Sequence, residues 1–192
     1  TFPLNMYEES VKVPFIARHP GRIPAGVVCD SLVSAYDFMP TLLDYLGLKP
    51  LDMAKRPGVS FVPALLGQGF ERPGGIVVMD EYGPNRMLRD QRYKYIARYP
   101  YGPNALYDLK ADPGEQDNLL AHGGFEALEQ ELRGRLEKWF AKYVNPEIDG
   151  AREAVFGSGQ IGLAGLWGAG VSAHSCDDYI KKNPNYALYR VK

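Results

Sequence analysis

The spacing of apolar residues predicts two helices and a run of short strands. Residues Ala35 to Leu46, AYDFMPTLLDYL, place Phe38, Leu42, Tyr45 and Leu46 at helical spacing on one face. Ser34 or Asp37 can cap its start, and Pro40 favours Asp37, because proline is tolerated only in a first turn. Gly47 stands where a left-handed C-cap residue is expected. Phe125 to Tyr143 carries a longer stripe of Phe125, Leu128, Leu132, Leu136, Trp139, Phe140 and Tyr143, with charged residues on the other face.

Between the two helices the period shortens. Residues 75–82, 86–99 and 104–109 read as strands, the middle one folding into a hairpin at Asp90-Gln91. In its second arm Tyr93, Tyr95 and Ala97 oppose Lys94, Ile96 and Arg98. The short connections imply antiparallel pairing. Leu106, Tyr107 and Leu109 are expected to bury against Leu132, Leu136 and Phe140, since sheet and helix each have an apolar side to hide. Val11 to Ala17, VKVPFIA, is expected as an edge strand, because Pro14 cannot donate to a ladder. GVSFVPALLGQ leads into one helical turn. After Pro146 the chain becomes Gly-rich and loses its period.

Composition changes this picture little. The chain has 192 residues, 45% of them hydrophobic, and a net charge of −1 from 22 basic and 23 acidic residues. That balance gives no electrostatic case for nucleic acid or an anionic membrane. No apolar run approaches the length of a membrane span. The N-terminus does not disclose a compartment. Cys29 and Cys176 follow no metal or redox spacing, and Cys29, within GVVCDSLV, is expected as a small buried hydrophobe. His19, His122 and His174 have no neighbouring ligands in sequence.

The stretch NALYDLKADPGEQDNLL is the most specified. LYDL reads as a final strand, and Asp112-Pro113-Gly114 is turn chemistry in which the glycine supplies positive φ. Glu115 and Asn118 are expected to satisfy free backbone groups as the chain leaves the sheet. Its role is architectural, joining a small sheet to a long helix.

LYDLKADPGEQDNL also resembles a signature near the C-terminus of type I, formylglycine-dependent sulfatases. Four further blocks resemble the same family in the same order: MYEESVKVPFIARHPG, DSLVSAYDFMPTLLDYLGL, GVSFVPALLGQ and LRDQRYKYI. Together they span roughly residues 6–143, leaving the tail outside. The resemblance implies an α/β, alkaline-phosphatase-like fold. Residues 1–70 would be the end of the large domain, 71–145 a small four-stranded antiparallel sheet with a C-terminal helix, and 146–192 an irregular tail.

It further implies sulfate-ester hydrolysis by a formylglycine with a divalent cation, usually calcium, on a substrate such as a sulfated sugar. The nucleophile motif C-x-P-S-R and the metal carboxylates are absent from these residues, so no catalytic or metal residue is assigned here. They would come from an N-terminal part of the same polypeptide, and the present chain alone is expected to be inactive. A functional Lys and His usually lie just upstream of the MYEES block.

The resemblance makes Tyr82, Asn85 and Arg86 candidates for the substrate rim, with a solvated hairpin arginine as the plain alternative for Arg86. Glu8 is expected to cap a turn, and Arg89 and Lys94 to hold the sheet. Phosphonate monoester or phosphodiester hydrolysis, and a non-catalytic binding or scaffold module, are the alternative functions.

Overall fold

A computed structural model describes residues 6–50, 52–80, 85–99 and 103–149. Three short helices come first: α1 (Glu8–Val11), α2 (Phe38–Tyr45) and α3 (Val62–Leu65). Four strands follow, β1 (Ile76–Met79), β2 (Asn85–Arg89), β3 (Tyr93–Arg98) and β4 (Ala105–Asp108), and then α4 (Glu126–Tyr143). The strands form one antiparallel sheet in the order β1-β2-β3-β4. The predicted hairpin between β2 and β3 turns on Asp90, whose Oδ1 accepts from the N–H groups of Arg92 (3.0 Å) and Tyr93 (2.8 Å). Gly75 has φ of 78° just before β1, and a Cβ there would collide with the carbonyl oxygen of Arg89.

Both faces of the sheet are covered. On one, Val77, Leu88, Tyr95, Ala97 and Leu106 pack with Leu132, Leu136 and Phe140 of α4. On the other, Met87, Ile96, Ala105, Tyr107 and Leu109 pack around Met6, with Tyr7 and Val11 at the margin. The expected burial of Leu106, Tyr107 and Leu109 against α4 therefore holds only for Leu106. Successive strand residues point to opposite faces, and Tyr107 follows that rule. The segment around α1 covers the second face.

The predicted first helix is split into a short 3₁₀ turn, Ala35–Asp37, followed by α2. Both proposed caps act together: Ser34 N–H donates to Asp37 Oδ2 at 2.7 Å in a reciprocal capping box. Gly47 takes φ of 65° at the C-terminal end, as expected. The apolar stripe does not face a core. Phe38, Leu42 and Leu46 are exposed, whereas Asp37 and Thr41 are buried.

Val11–Ala17 carries no strand: α1 ends at Val11 and no ladder partner exists among the described residues. A strand is defined by its neighbours, and without them Val13 is 76% and Ile16 89% exposed. Cys29 is likewise exposed instead of buried. Cys176 lies outside the described residues, as does the tail.

In the turn after β4, positive φ falls on Glu115 (53°) and not on Gly114. Asn118 does as expected: its Oδ1 accepts from Leu106 N–H (2.9 Å) and Leu120 N–H (3.2 Å), and its Nδ2 donates to Asn104 O (3.2 Å). Among the described residues no helix is long and apolar enough to cross a membrane.

Candidate functional site

Of the three rim candidates, Tyr82 lies outside the described residues. Asn85 and Arg86 open β2, and the strand's period sends their side chains to opposite faces, so the structure does not bring them together. Asn85 is fully buried; its Nδ2 donates to Asp80 Oδ2 at 2.8 Å, and its Oδ1 has no hydrogen-bond partner among the described residues. Its cross-strand neighbour Arg98 donates from Nη1 to Pro103 O at 2.6 Å and leaves Nε without a partner among the described residues. Burial pushes the Arg98 guanidinium pKa down.

Arg86 is only 4% exposed. Its guanidinium carbon lies 3.8 Å from the ring centroid of Phe140 and 5.0 Å from that of Tyr99, and it pairs with Asp149. The plain alternative of an arginine in water is not what the sheet provides. Arg86 instead ties the sheet to α4 and to the chain beyond it.

A second constellation, which sequence reasoning missed as a unit, lies on the other face. Lys94 in β3 is fully buried, and its Nζ is 2.8 Å from Glu8 Oε1, 2.8 Å from Glu115 Oε1 and 3.0 Å from the carbonyl oxygen of Met6. Arg89 Nε donates to Glu8 Oε1 at 3.0 Å, and Glu8 N–H donates to Glu115 Oε2 at 2.6 Å. Burial pushes the Glu8 carboxyl up, but the hydrogen bonds and charges of Lys94 and Arg89 more than reverse this and leave its pKa lowered. Arg89 and Lys94 thus hold the segment at α1 against the sheet. Glu115 satisfies a backbone N–H as expected, but one 107 residues away in sequence. One signal was available: a lysine set between Tyr93 and Tyr95, on the same strand period as Ile96. The identity of its partners was not, because they come from the two ends of the fold.

A third cluster joins residues before the sheet to it. Asp37 is fully buried, pairs with Arg72, and accepts from Val59 N–H at 2.9 Å through Oδ1. Arg72 stacks over Tyr36, whose hydroxyl accepts from Val77 N–H at 3.1 Å. His19 Nδ1 lies 2.6 Å from the Tyr45 hydroxyl, and His122 Nε2 lies 2.5 Å from Asp117 Oδ1. His174 lies outside the described residues. Among the described residues no group of three or more His, Cys, Asp or Glu is placed to hold a metal ion, so the described residues do not fit the cation that the resemblance implies. A cavity of ≈ 1350 Å³ lies between residues 10–36 and β1, lined by apolar side chains that include Phe15, Ile16, Val27, Val33, Phe61 and Val78.

Comparison with known proteins adds three findings. The model of the family described as N-sulphoglucosamine sulphohydrolase, C-terminal, matches residues 4–142. Two Bacteroides thetaiotaomicron proteins are similar in sequence. The Delta 4,5-hexuronate-2-O-sulfatase is 32% identical over 148 residues, covering 72% of this chain and 30% of that protein. The N-acetylglucosamine-6-O-sulfatase is 30% identical over 167 residues, covering 79% and 29%. A solved structure concerned with glycosaminoglycan metabolism in the same organism is 25% identical, with a TM-score of 0.52, and covers 67% of this chain and 30% of that one. The chain spans about a third of the length of the curated relatives it matches.

Proposed function

The chain belongs to the N-sulphoglucosamine sulphohydrolase C-terminal family, and from that premise we propose that it is the C-terminal part of an enzyme that hydrolyses sulfate esters of sugars. The observation that carries this reading is the family match across residues 4–142, which takes in both the open N-terminal region and the closed sheet. The sugar class is supported by the two relatives named for sulfated hexuronate and N-acetylglucosamine. Formylglycine and a divalent cation, calcium in the first instance, belong to the N-terminal part in this proposal. Bound there, the cation would polarise the sulfate and favour the ionised nucleophile. The present residues dock that part and frame its cleft. The exposed Val13, Phe15, Ile16 and Val28 support such docking, because large apolar side chains left in solvent along one stretch are the raw material of an interaction face.

In this proposal Tyr82 is the candidate for contact at the substrate rim, and Asn85 and Arg86, being buried, act there by holding the β2 entrance in place. The test is sulfate release from 6-O-sulfated N-acetylglucosamine, from 2-O-sulfated unsaturated hexuronate and from an aryl sulfate. The full-length polypeptide is expected to release sulfate, and the 192-residue chain alone is not. Faster hydrolysis of a phosphonate monoester than of any sulfate would replace the reading with phosphonate hydrolysis. No turnover of any ester by the full-length polypeptide would favour a binding module.

A further inference from the structure

Among the described residues only two non-glycine positions have positive φ, Met6 (60°) and Glu115 (53°). They are far apart in sequence and meet at one ammonium group. Lys94 Nζ donates to Met6 O and forms ion pairs at 2.8 Å with both Glu8 Oε1 and Glu115 Oε1. Glu115 then returns a bond to the backbone by accepting from Glu8 N–H. Two backbone groups that belong to no ladder, the Met6 carbonyl and the Glu8 amide, are therefore clamped from opposite sides. Arg89 adds a second positive charge at Glu8, so two cations and two carboxylates balance.

Stability alone does not account for this arrangement. Replacing a buried ion cluster by well-packed apolar side chains is often neutral or stabilising, whereas fixing register is the best-attested use of buried charge. Left-handed backbone at non-glycine residues is costly and persists only where the surroundings over-determine it. Here the surroundings do so at both positions through the same lysine. What the clamp fixes is the path of the backbone from Met6 to Glu8.

We propose that Lys94 is a positioning residue: with Glu115 and Glu8 it sets the path of the chain at residues 6–8, and through it the placement of the polypeptide N-terminal to Met6 against the small sheet. Its consequence for catalysis rests on the sulfatase reading above; its consequence for the backbone does not.

The experiment compares Lys94→Met and the double variant Lys94→Met/Glu115→Leu with wild type in the full-length polypeptide. Amide hydrogen exchange is followed by mass spectrometry in the peptide covering Tyr7–Val11, beside Tm and sulfate-release kinetics. Lys94→Met should speed exchange of that peptide by about tenfold or more. It should lower kcat roughly 10- to 100-fold, with KM changed by no more than about twofold. The double variant strands no carboxylate at position 115, so Tm should recover while exchange stays fast and kcat stays low. Slow exchange together with wild-type kcat in the double variant would overturn the proposal and leave the cluster as packing. Should the single variant fail to fold, the double variant still decides. Should the full-length wild type release no sulfate, the sulfatase reading falls, and the exchange measurement alone decides the positioning of residues 6–8.

Discussion

Helices α2 and α4 each carry an apolar stripe, but only α4 buries it. Leu132 and Leu136 are inaccessible between α4 and the sheet. Across α2 and the 3₁₀ turn before it the buried positions are Asp37 and Thr41, and Phe38, Leu42 and, at the C-cap, Leu46 remain in solvent. The same contrast separates the chain into two regions. Residues 76–143 together with residues 6–11 form a closed region: a four-stranded meander, a helix on one face and the α1 segment on the other. Residues 11–48 expose Val13, Phe15, Ile16, Val27, Val28 and the α2 stripe, and are held mainly by polar fastenings such as the capping box and the Asp37–Arg72 pair. An amphipathic pattern states that a face has to be covered. It does not state by what.

Predictions can break this contrast or sharpen it. The largest effect is expected for Asp37→Ala. It leaves Arg72 as an uncompensated buried charge and frees two backbone N–H groups, so it should cost about 3–5 kcal/mol by urea unfolding. A midpoint unchanged within error would show that the joint between the regions carries no stability. Next is Leu136→Ala, which removes a fully buried side chain from the sheet–helix core and should cost about 2–5 kcal/mol. A smaller loss would mean that α4 packs less tightly than its burial indicates.

Ile16→Ser tests the open region. In the 192-residue chain the change should lie within about 0.5 kcal/mol, as for other exposed positions. In the full-length polypeptide it should cost about 1.5–3 kcal/mol if this face is covered there. Cys29 should follow the same rule, reacting quickly with a thiol reagent in the shorter chain and slowly in the longer one. Equal behaviour in both would end the docking role of this face.

The smallest effect concerns Asp90, at the β2–β3 turn. Burial pushes its carboxyl up, but the N–H groups of Tyr93 and Arg92, together with Arg135, more than reverse this and hold it below its ordinary 3.8. A carboxylate with a depressed folded pKa stabilises above its unfolded value and loses that contribution as pH falls through the folded one. Asp90→Asn should therefore cost about 0.5–1 kcal/mol at pH 7 and progressively less below about pH 4, read from urea midpoints across pH. A cost independent of pH would assign the effect to turn geometry and not to charge.

The element order of the closed region was legible in the sequence because its signals are local. Period-two alternation placed the strands, the Asp90-Gln91 turn placed the hairpin, and the three- and four-residue steps of Leu128, Leu132 and Leu136 placed α4. The family was legible for a related reason, since its blocks are short, contiguous and ordered. What the sequence did not decide were the relations between distant residues. Val11–Ala17 has the composition of a strand but needs a neighbour to become one. Tyr107 and Leu109 are apolar, and only the sheet's pleat assigned them to the face away from α4. Glu115 followed a turn-forming glycine, yet took the positive φ itself because Lys94 and the Glu8 amide hold its carboxylate. Local propensity acts over a few residues, whereas burial and charge pairing act between whichever residues the fold makes neighbours. The sequence by itself therefore determined the strands and long helix of the closed region and the family, and the tertiary structure decided which faces close, which stay open, and that one lysine joins Met6, Glu8 and Glu115.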